Sequence, residues 1–304
     1  MHYSKLYFCL ASAFSLALPS LSSAAVITWD GSGDGTNWLD GSNWDTDSVP
    51  GSVDSVHLGG NAVQVNGPGA TYAAAASGSA GTIDINSGGV LTQVGNSFNA
   101  LRFFTKVNVN DGGTFVADPV ANIRTNLDIL AGGTLEGTSR IRDAKTLNVG
   151  GIFRPENDAA ESAYLVNDGG SVLLGSTGTI ELGLFGNMNN VGFLLNAGAN
   201  TVGATLDLSA GSVELVLQGG YTPIVGDSFD LWDVTNVNSI VTPGTGNNIF
   251  LDGYDLDFTQ WATDGVVSIS AVSAVPEPST WAALLGGIGM ITVIARRRLR
   301  RPAA

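Results

Sequence analysis

The feature that most constrains this chain is a glycine pair that returns at a nearly fixed interval. Pairs stand at Gly88-Gly89, Gly112-Gly113, Gly132-Gly133, Gly150-Gly151 and Gly169-Gly170, in steps of 24, 20, 18 and 19 residues, and a single Gly211 follows 42 residues later. One phrase precedes most of them. Five and three residues before the first glycine stand Ile83 and Ile85, Val107 and Val109, Leu127 and Ile129, Tyr164 and Val166, Leu206 and Leu208. The copy before Gly150 fits by half, with Lys145 and Leu147. Three residues after the first glycine come Leu91, Phe115, Leu135, Phe153 and Val172, whereas the Gly211 copy has Val213 and Leu215. Apolar residues two apart, with Asp or Asn between them, have the period of a half-buried strand. A glycine pair then supplies a tight turn with positive φ. A strand-turn-strand unit this small cannot bury its own apolar face, so it must stack on copies of itself.

The expectation is an all-β fold, a parallel β-helix (solenoid) of about seven coils over residues 81–217, on the order of 35 Å long at ~4.8 Å per coil. An antiparallel sandwich of short hairpins also places turns at such intervals. The regular phrase, and the lack of a Cys and Trp core pair, favour the solenoid. Helical signal is nearly absent outside the termini. The alanine-rich stretch from Tyr72 to Ala76 is five residues between glycines and is expected as a loop.

Two flanks are expected to close the solenoid. Residues 26–80 carry Trp29, Trp38 and Trp44 among turn-forming Gly, Asn and Asp, with the steps Asn37-Trp38, Asn43-Trp44 and Pro50-Gly51. This predicts an N-terminal β cap over the open apolar end; a sugar-stacking aromatic face is the alternative. Asp30-x-Ser32-x-Asp34-Gly35 has the form of half a calcium loop, but the closing position is Gly41, with Asp40 one place early, so no metal is assigned. Residues 218–272 alternate apolar and polar, as in Tyr254, Leu256 and Phe258, and predict a C-terminal cap of a few antiparallel strands. The Asn-Trp step with its Pro-Gly turn, and the phrase Gly226-Asp227-Ser228-Phe229-Asp230-Leu231-Trp232, resemble the flanks of autotransporter-type passengers and related envelope β-helix proteins.

The termini speak of destination. Lys5, the apolar run Leu6 to Leu18 and Ser22-Ser23-Ala24-Ala25 have the layout of a secretory signal peptide over residues 1–25, cleaved after Ala24 or Ala25. An uncleaved anchor is the alternative, and the run is short for one. Residues 273–304 hold Val275, Pro276, Glu277 and Pro278, then an apolar stretch over 279–295, then Arg296, Arg297, Arg298, Arg300 and Arg301. The apolar stretch predicts one C-terminal transmembrane helix, since a helix satisfies its own backbone in lipid. The arginines form a cytoplasmic stop. The order of parts resembles the PEP-CTERM sorting signal of bacterial envelope proteins. That resemblance implies a transient inner-membrane anchor with the body periplasmic, an exosortase-type membrane protease as partner, and release to the cell surface or extracellular matrix.

Charge and cysteine usage narrow the classes. The lone cysteine, Cys9, lies in the leader, so the body must hold without disulfides. Residues 26–274 carry seven Lys/Arg against 26 Asp/Glu, a net of −19, and none of the seven lies beyond Arg154. Such a surface repels nucleic acid and anionic lipid headgroups, and both are excluded as partners. It could attract divalent cations; solubility alone also accounts for it. No catalytic constellation is legible. Arg102, Lys106, Arg124, Arg140, Arg142, Lys145 and Arg154 join no recognisable motif, and His57 is the body's only histidine. Asp84, Asp128 and Asp207 fall at outward positions of the repeat, where stacked Asp and Asn make solvated ladders. The reading is an exported, non-catalytic structural or adhesive protein of the envelope or exopolysaccharide matrix, with no cofactor. The alternative is a carbohydrate-binding or carbohydrate-active enzyme on the same scaffold, a polysaccharide lyase or hydrolase.

Overall fold

The structure, a computed structural model, describes residues 25–77, 80–94, 104–117, 121–137, 139–155, 164–186, 192–196, 202–235 and 238–273. It is an all-β stack of parallel sheets, the arrangement of a β-solenoid. Among the described residues two sheets have eight strands each. The first face runs from Ala62–Val65 through Thr82–Ile85, Lys106–Val109, Asn126–Ile129, Thr146–Val149, Ser171–Leu174 and Thr205–Asp207 to Ile240–Thr242. The second runs from Ala70–Tyr72 through Val90–Gln93, Thr114–Val116, Thr134–Glu136, Ile152–Arg154, Thr179–Leu184 and Ser212–Leu217 to Ile249–Leu251. A third face stacks Ala121–Ile123, Ser139–Ile141, Tyr164–Asn167, Phe193–Asn196 and Trp232–Val234, and a short parallel sheet of Val26–Thr28, Ser55–His57 and Ala74–Ala75 lies at the N-terminal end. Eight strands at ~4.8 Å give a stack on the order of 35 Å.

The register follows the apolar phrase. Ile83 pairs with Val107, Val107 with Leu127 and Leu127 with Leu147, and Ile85, Val109, Ile129 and Val149 follow two residues on. All eight are buried, while the residues between them point outward. Slipping any strand by one residue would turn its apolar pair into water, which is why the ladders stay in step.

Four expectations change. The ladders begin at Ala62 and end at Leu251, outside the expected 81–217 on both sides, so the two flanks contribute whole coils. Tyr72 to Ala76 is not a loop: Tyr72 ends one strand and Ala74–Ala75 forms another on the adjoining face. The half-fitting copy before Gly150 has its inward pair at Leu147 and Val149, and its corner is two residues shorter than that after Ile129. The Gly169-Gly170 pair sits at a different corner. Tyr164 and Val166 belong to the third face, and the pair leads into the first-face strand Ser171–Leu174, so Val172 is a first-face residue. The later coils are therefore longer than the early ones: Val172, Leu206 and Val241 succeed one another at 34 and 35 residues.

The C-terminal cap is a three-stranded antiparallel sheet of Ser228–Asp230, Val266–Val272 and Tyr254–Asp257, with Val266–Val272 central. Among the described residues no helix is long and apolar enough to cross a membrane. The expected span 279–295 and the expected signal peptide lie outside the described residues, save Ala25.

Candidate functional site

The tryptophan-rich segment is built inward, not outward. Trp29, Trp38 and Trp44 are buried and meet edge to face, with centroids 5.0 Å apart for Trp29 and Trp44 and 4.9 Å for Trp38 and Trp44. The stack continues through Tyr72 to Phe104 inside the first coils. Trp38 N donates to Gln64 O and Gln64 N to Thr36 O, which covers the free edge of the strand Ala62–Val65. The segment thus has the geometry of a cap, and none of these three rings is available to stack on a sugar. The Tyr72 hydroxyl is buried without a hydrogen-bond partner, and burial pushes its pKa well up.

Asn43 organises the loop above these rings. Its Oδ1 accepts from Gly33 N (3.0 Å) and Gly35 N (2.8 Å), and its Nδ2 donates to Asp34 Oδ1 (2.8 Å) and Asn37 O (3.0 Å). Asp34 also accepts from Asn37 N and Thr36 N; these bonds, with that from Asn43, lower its pKa to about 2. Asp40 accepts from Ser42 N and Asp34 N. The carboxylates of the half calcium loop are thus engaged by amides. Among the described residues no three His, Cys, Asp or Glu gather as a metal centre.

The outward Asp and Asn residues form ladders. Asn108 Nδ2 donates to Asp84 Oδ1 and Asn148 Nδ2 to Asp128 Oδ1, each at 2.7 Å, and Lys106 Nζ lies 2.6 Å from Asp128 Oδ2. At the next corner Asn110 donates to Asn86 and Asn86 to Asn66, each at 2.7 Å. Asp84, Asn108, Asp128 and Asn148 alternate from coil to coil, so like charges do not face each other along this ladder. Asp207 instead accepts from its own corner, from Ser209 N and Oγ. His57 lies on Ser55–His57, and its carbonyl accepts from Trp29 N.

Lys106, Arg124, Arg142 and Arg154 are paired with carboxylates along the middle coils, and Arg102 lies outside the described residues. Arg154 reaches Glu181 (2.6 Å) and Glu136 (3.1 Å) on the neighbouring coils. Arg124 bonds Asp143, and Arg142 lies 3.3 Å from Asp143 and 2.5 Å from Asp168. Burial pushes the Asp143 carboxyl up, but the hydrogen bond and charge of Arg124, with Arg142, outweigh it, so its pKa is lowered. This corner was not legible in sequence: Arg124, Asp143 and Asp168 are far apart in the chain, and the positive φ of Asp143 and Ala144 has no glycine to mark it.

In the C-terminal cap Asp227 Oδ2 accepts from Tyr221 Oη (2.5 Å) and Ile224 N (2.9 Å), which pins the loop before the Gly226-Asp227 step. Trp232 and Trp261 meet edge to face at 6.2 Å, and Trp261 Nε1 donates to Pro243 O. Asp230 has a buried oxygen with no partner. Burial, and then the charge of Asp233 and of Asp264, raise its pKa to about 6 against the amide of Trp232.

The last described residue is Ser273, whose N donates to Gly253 O (2.9 Å) and whose Oγ donates to Asp255 Oδ1 (2.7 Å). Everything assigned to sorting comes next. Val275, Pro276, Glu277 and Pro278, and the arginines 296–298, 300 and 301, lie outside the described residues. Comparison with protein families shows that residues 274–301 match the PEP-CTERM protein-sorting motif. The motif implies an exported protein sorted by an exosortase, a membrane protease, and it directly follows an all-β body of stacked parallel sheets. No curated protein matches the chain, and no solved structure does.

Proposed function

We propose that this is a non-catalytic structural or adhesive protein of the bacterial envelope or its extracellular polysaccharide matrix. It is exported by its signal peptide and held briefly in the inner membrane with the body periplasmic. An exosortase then cuts near Val275 to Pro278 and releases it to the cell surface or matrix. The observation that carries the reading is the sorting motif at 274–301. The body supports it: the Trp29, Trp38 and Trp44 rings are consumed by the cap, Asp84 and Asp128 are engaged in ladders, and Arg154 is clamped between two glutamates. A rod with closed ends and an acidic surface suits a spacer or display element outside the cell.

The test is to incubate the protein purified from culture medium with a panel of acidic and neutral polysaccharides. Binding without new chain ends supports an adhesive role, and no binding at all supports a structural one. Release of oligosaccharides overturns the reading in favour of a polysaccharide lyase or hydrolase.

A further inference from the structure

The last described residues of the body lie at an edge of the cap that exposes apolar side chains. Val266–Val272 ends there, Tyr254–Asp257 begins there opposite Val272, and the loop before Ser228–Asp230 folds back there through Gly226 N to Ile269 O (2.9 Å) and Ile269 N to Asp227 O (2.8 Å). Three aliphatic side chains on these segments have more than half their surface in water: Ile224 at 67% and Val225 at 59% on the loop, and Val272 at 58% at the strand's end. Singly exposed apolar residues are ordinary, but several at one edge are not. Tyr221, half-buried, stands beside them with its hydroxyl held by Asp227. The second observation is length. Ser273 is pinned by two hydrogen bonds, and the apolar stretch starts at 279. The five residues between can reach no more than ~18 Å even when fully extended.

We propose that, while the tail is attached, the lip of Ile224, Val225 and Val272 rests on the bilayer interface. The rod is then held with its C-terminal cap against the lipid and its tryptophan cap outermost. The proposal rests on residues 279–295 being a membrane anchor. Burying the three side chains at the interface removes apolar surface from water, and a tether this short makes the contact effectively intramolecular. Asp252 on the neighbouring turn and Asp255 on the strand after it are exposed and repel anionic headgroups, so the contact is to lipid chains and zwitterionic headgroups.

The test uses the chain left by signal-peptide cleavage, residues 26–304, which has no cysteine of its own, reconstituted into phosphatidylcholine vesicles. Single cysteines placed by Val225→Cys or Ser32→Cys carry a bimane dye, and lipid brominated high on the acyl chain is the quencher. Loss of emission at position 225 and none at 32 is the expected result. Adding Ile224→Asp to the Val225→Cys chain should restore most of the emission. Equal quenching at both positions, no quenching at either in chains that float with the vesicles, or quenching untouched by Ile224→Asp would each overturn the proposal. Chains that do not float with the vesicles at all would instead sink the anchor reading beneath it. Circular dichroism of each variant checks that the body is folded.

Discussion

At the scale of single residues, the two glycines of a corner do different work. Gly88 has φ +75° and nothing within 4 Å of where a Cβ would stand, whereas a Cβ on Gly89 would lie 2.1 Å from the carbonyl oxygen of Val65 in the coil below. Gly88→Ala should therefore cost about 1–2 kcal/mol, the strain of a left-handed alanine. Gly89→Ala should cost more, because backbone of two coils must separate. Denaturant titration of the two variants checks the order, and equal losses would mean that the coils are not in this register. Asp230 gives a pH prediction. Its pKa is raised to about 6 in the fold, so the folded state binds the proton more tightly than the unfolded chain does. Its contribution is fully present below the unfolded value near ~4 and is lost as pH rises through about 6. Asp230→Asn should accordingly raise the denaturation midpoint at pH 7.5 relative to the parent and leave it little changed at pH 4. A gain that is the same at both pH values would show that the carboxylate's charge is not the cause.

At the scale of elements, the first-face strands Thr82–Ile85, Lys106–Val109, Asn126–Ile129 and Thr146–Val149 carry their apolar pair inward and an Asp or Asn outward. Ile85→Asp places a carboxylate among Val65, Val109 and their neighbours with no partner, and should destabilise the body by several kcal/mol, roughly 3 or more. Asp84→Ala removes one ladder bond to Asn108 on the water side and should cost under ~1 kcal/mol. Denaturant midpoints of the two variants decide it, and comparable losses at 84 and 85 would mean that the strand faces are misassigned. The period-two pattern of these strands was readable because it repeats with the same turn chemistry. The strand Ala74–Ala75 was not: two alanines have no period, and they form a strand because a neighbouring edge, Ser55–His57, offers them backbone partners. The corner at Gly169-Gly170 was misplaced for a related reason. A glycine pair marks a tight turn wherever one occurs, and only pairing partners tell which corner of the coil it is.

At the scale of the whole molecule, the two ends are closed by different means. Trp38 and its partners lie over one end, the antiparallel sheet and Trp261 over the other, and the chain then passes straight into the sorting motif. This predicts that a reporter fused after Ala304 stays cytoplasmic, while an epitope in the body reaches the medium or matrix without the tail. Detection of full-length chain alone, still in the inner membrane of a host that makes the exosortase, would mean that the anchor is permanent.

The sequence alone determined the all-β class, the strand faces, most of the glycine corners and the sorting motif, because each is local: a side-chain period, a turn residue or a short ordered string of parts. Trp29, Trp38 and Trp44 also pointed to a cap at the N-terminal flank, and the alternation of Tyr254, Leu256 and Phe258 to one at the C-terminal flank. What only the tertiary structure decided is non-local. The coils extend from Ala62 to Leu251 because flank segments with weak patterns of their own find ladders to join. The pairing of Arg124, Arg142, Asp143 and Asp168 depends on which corners stack. The docking of Ser228–Asp230 on Val266–Val272 depends on antiparallel pairing between segments some forty residues apart. Such contacts are set by the register of whole sheets, and no window of sequence contains it.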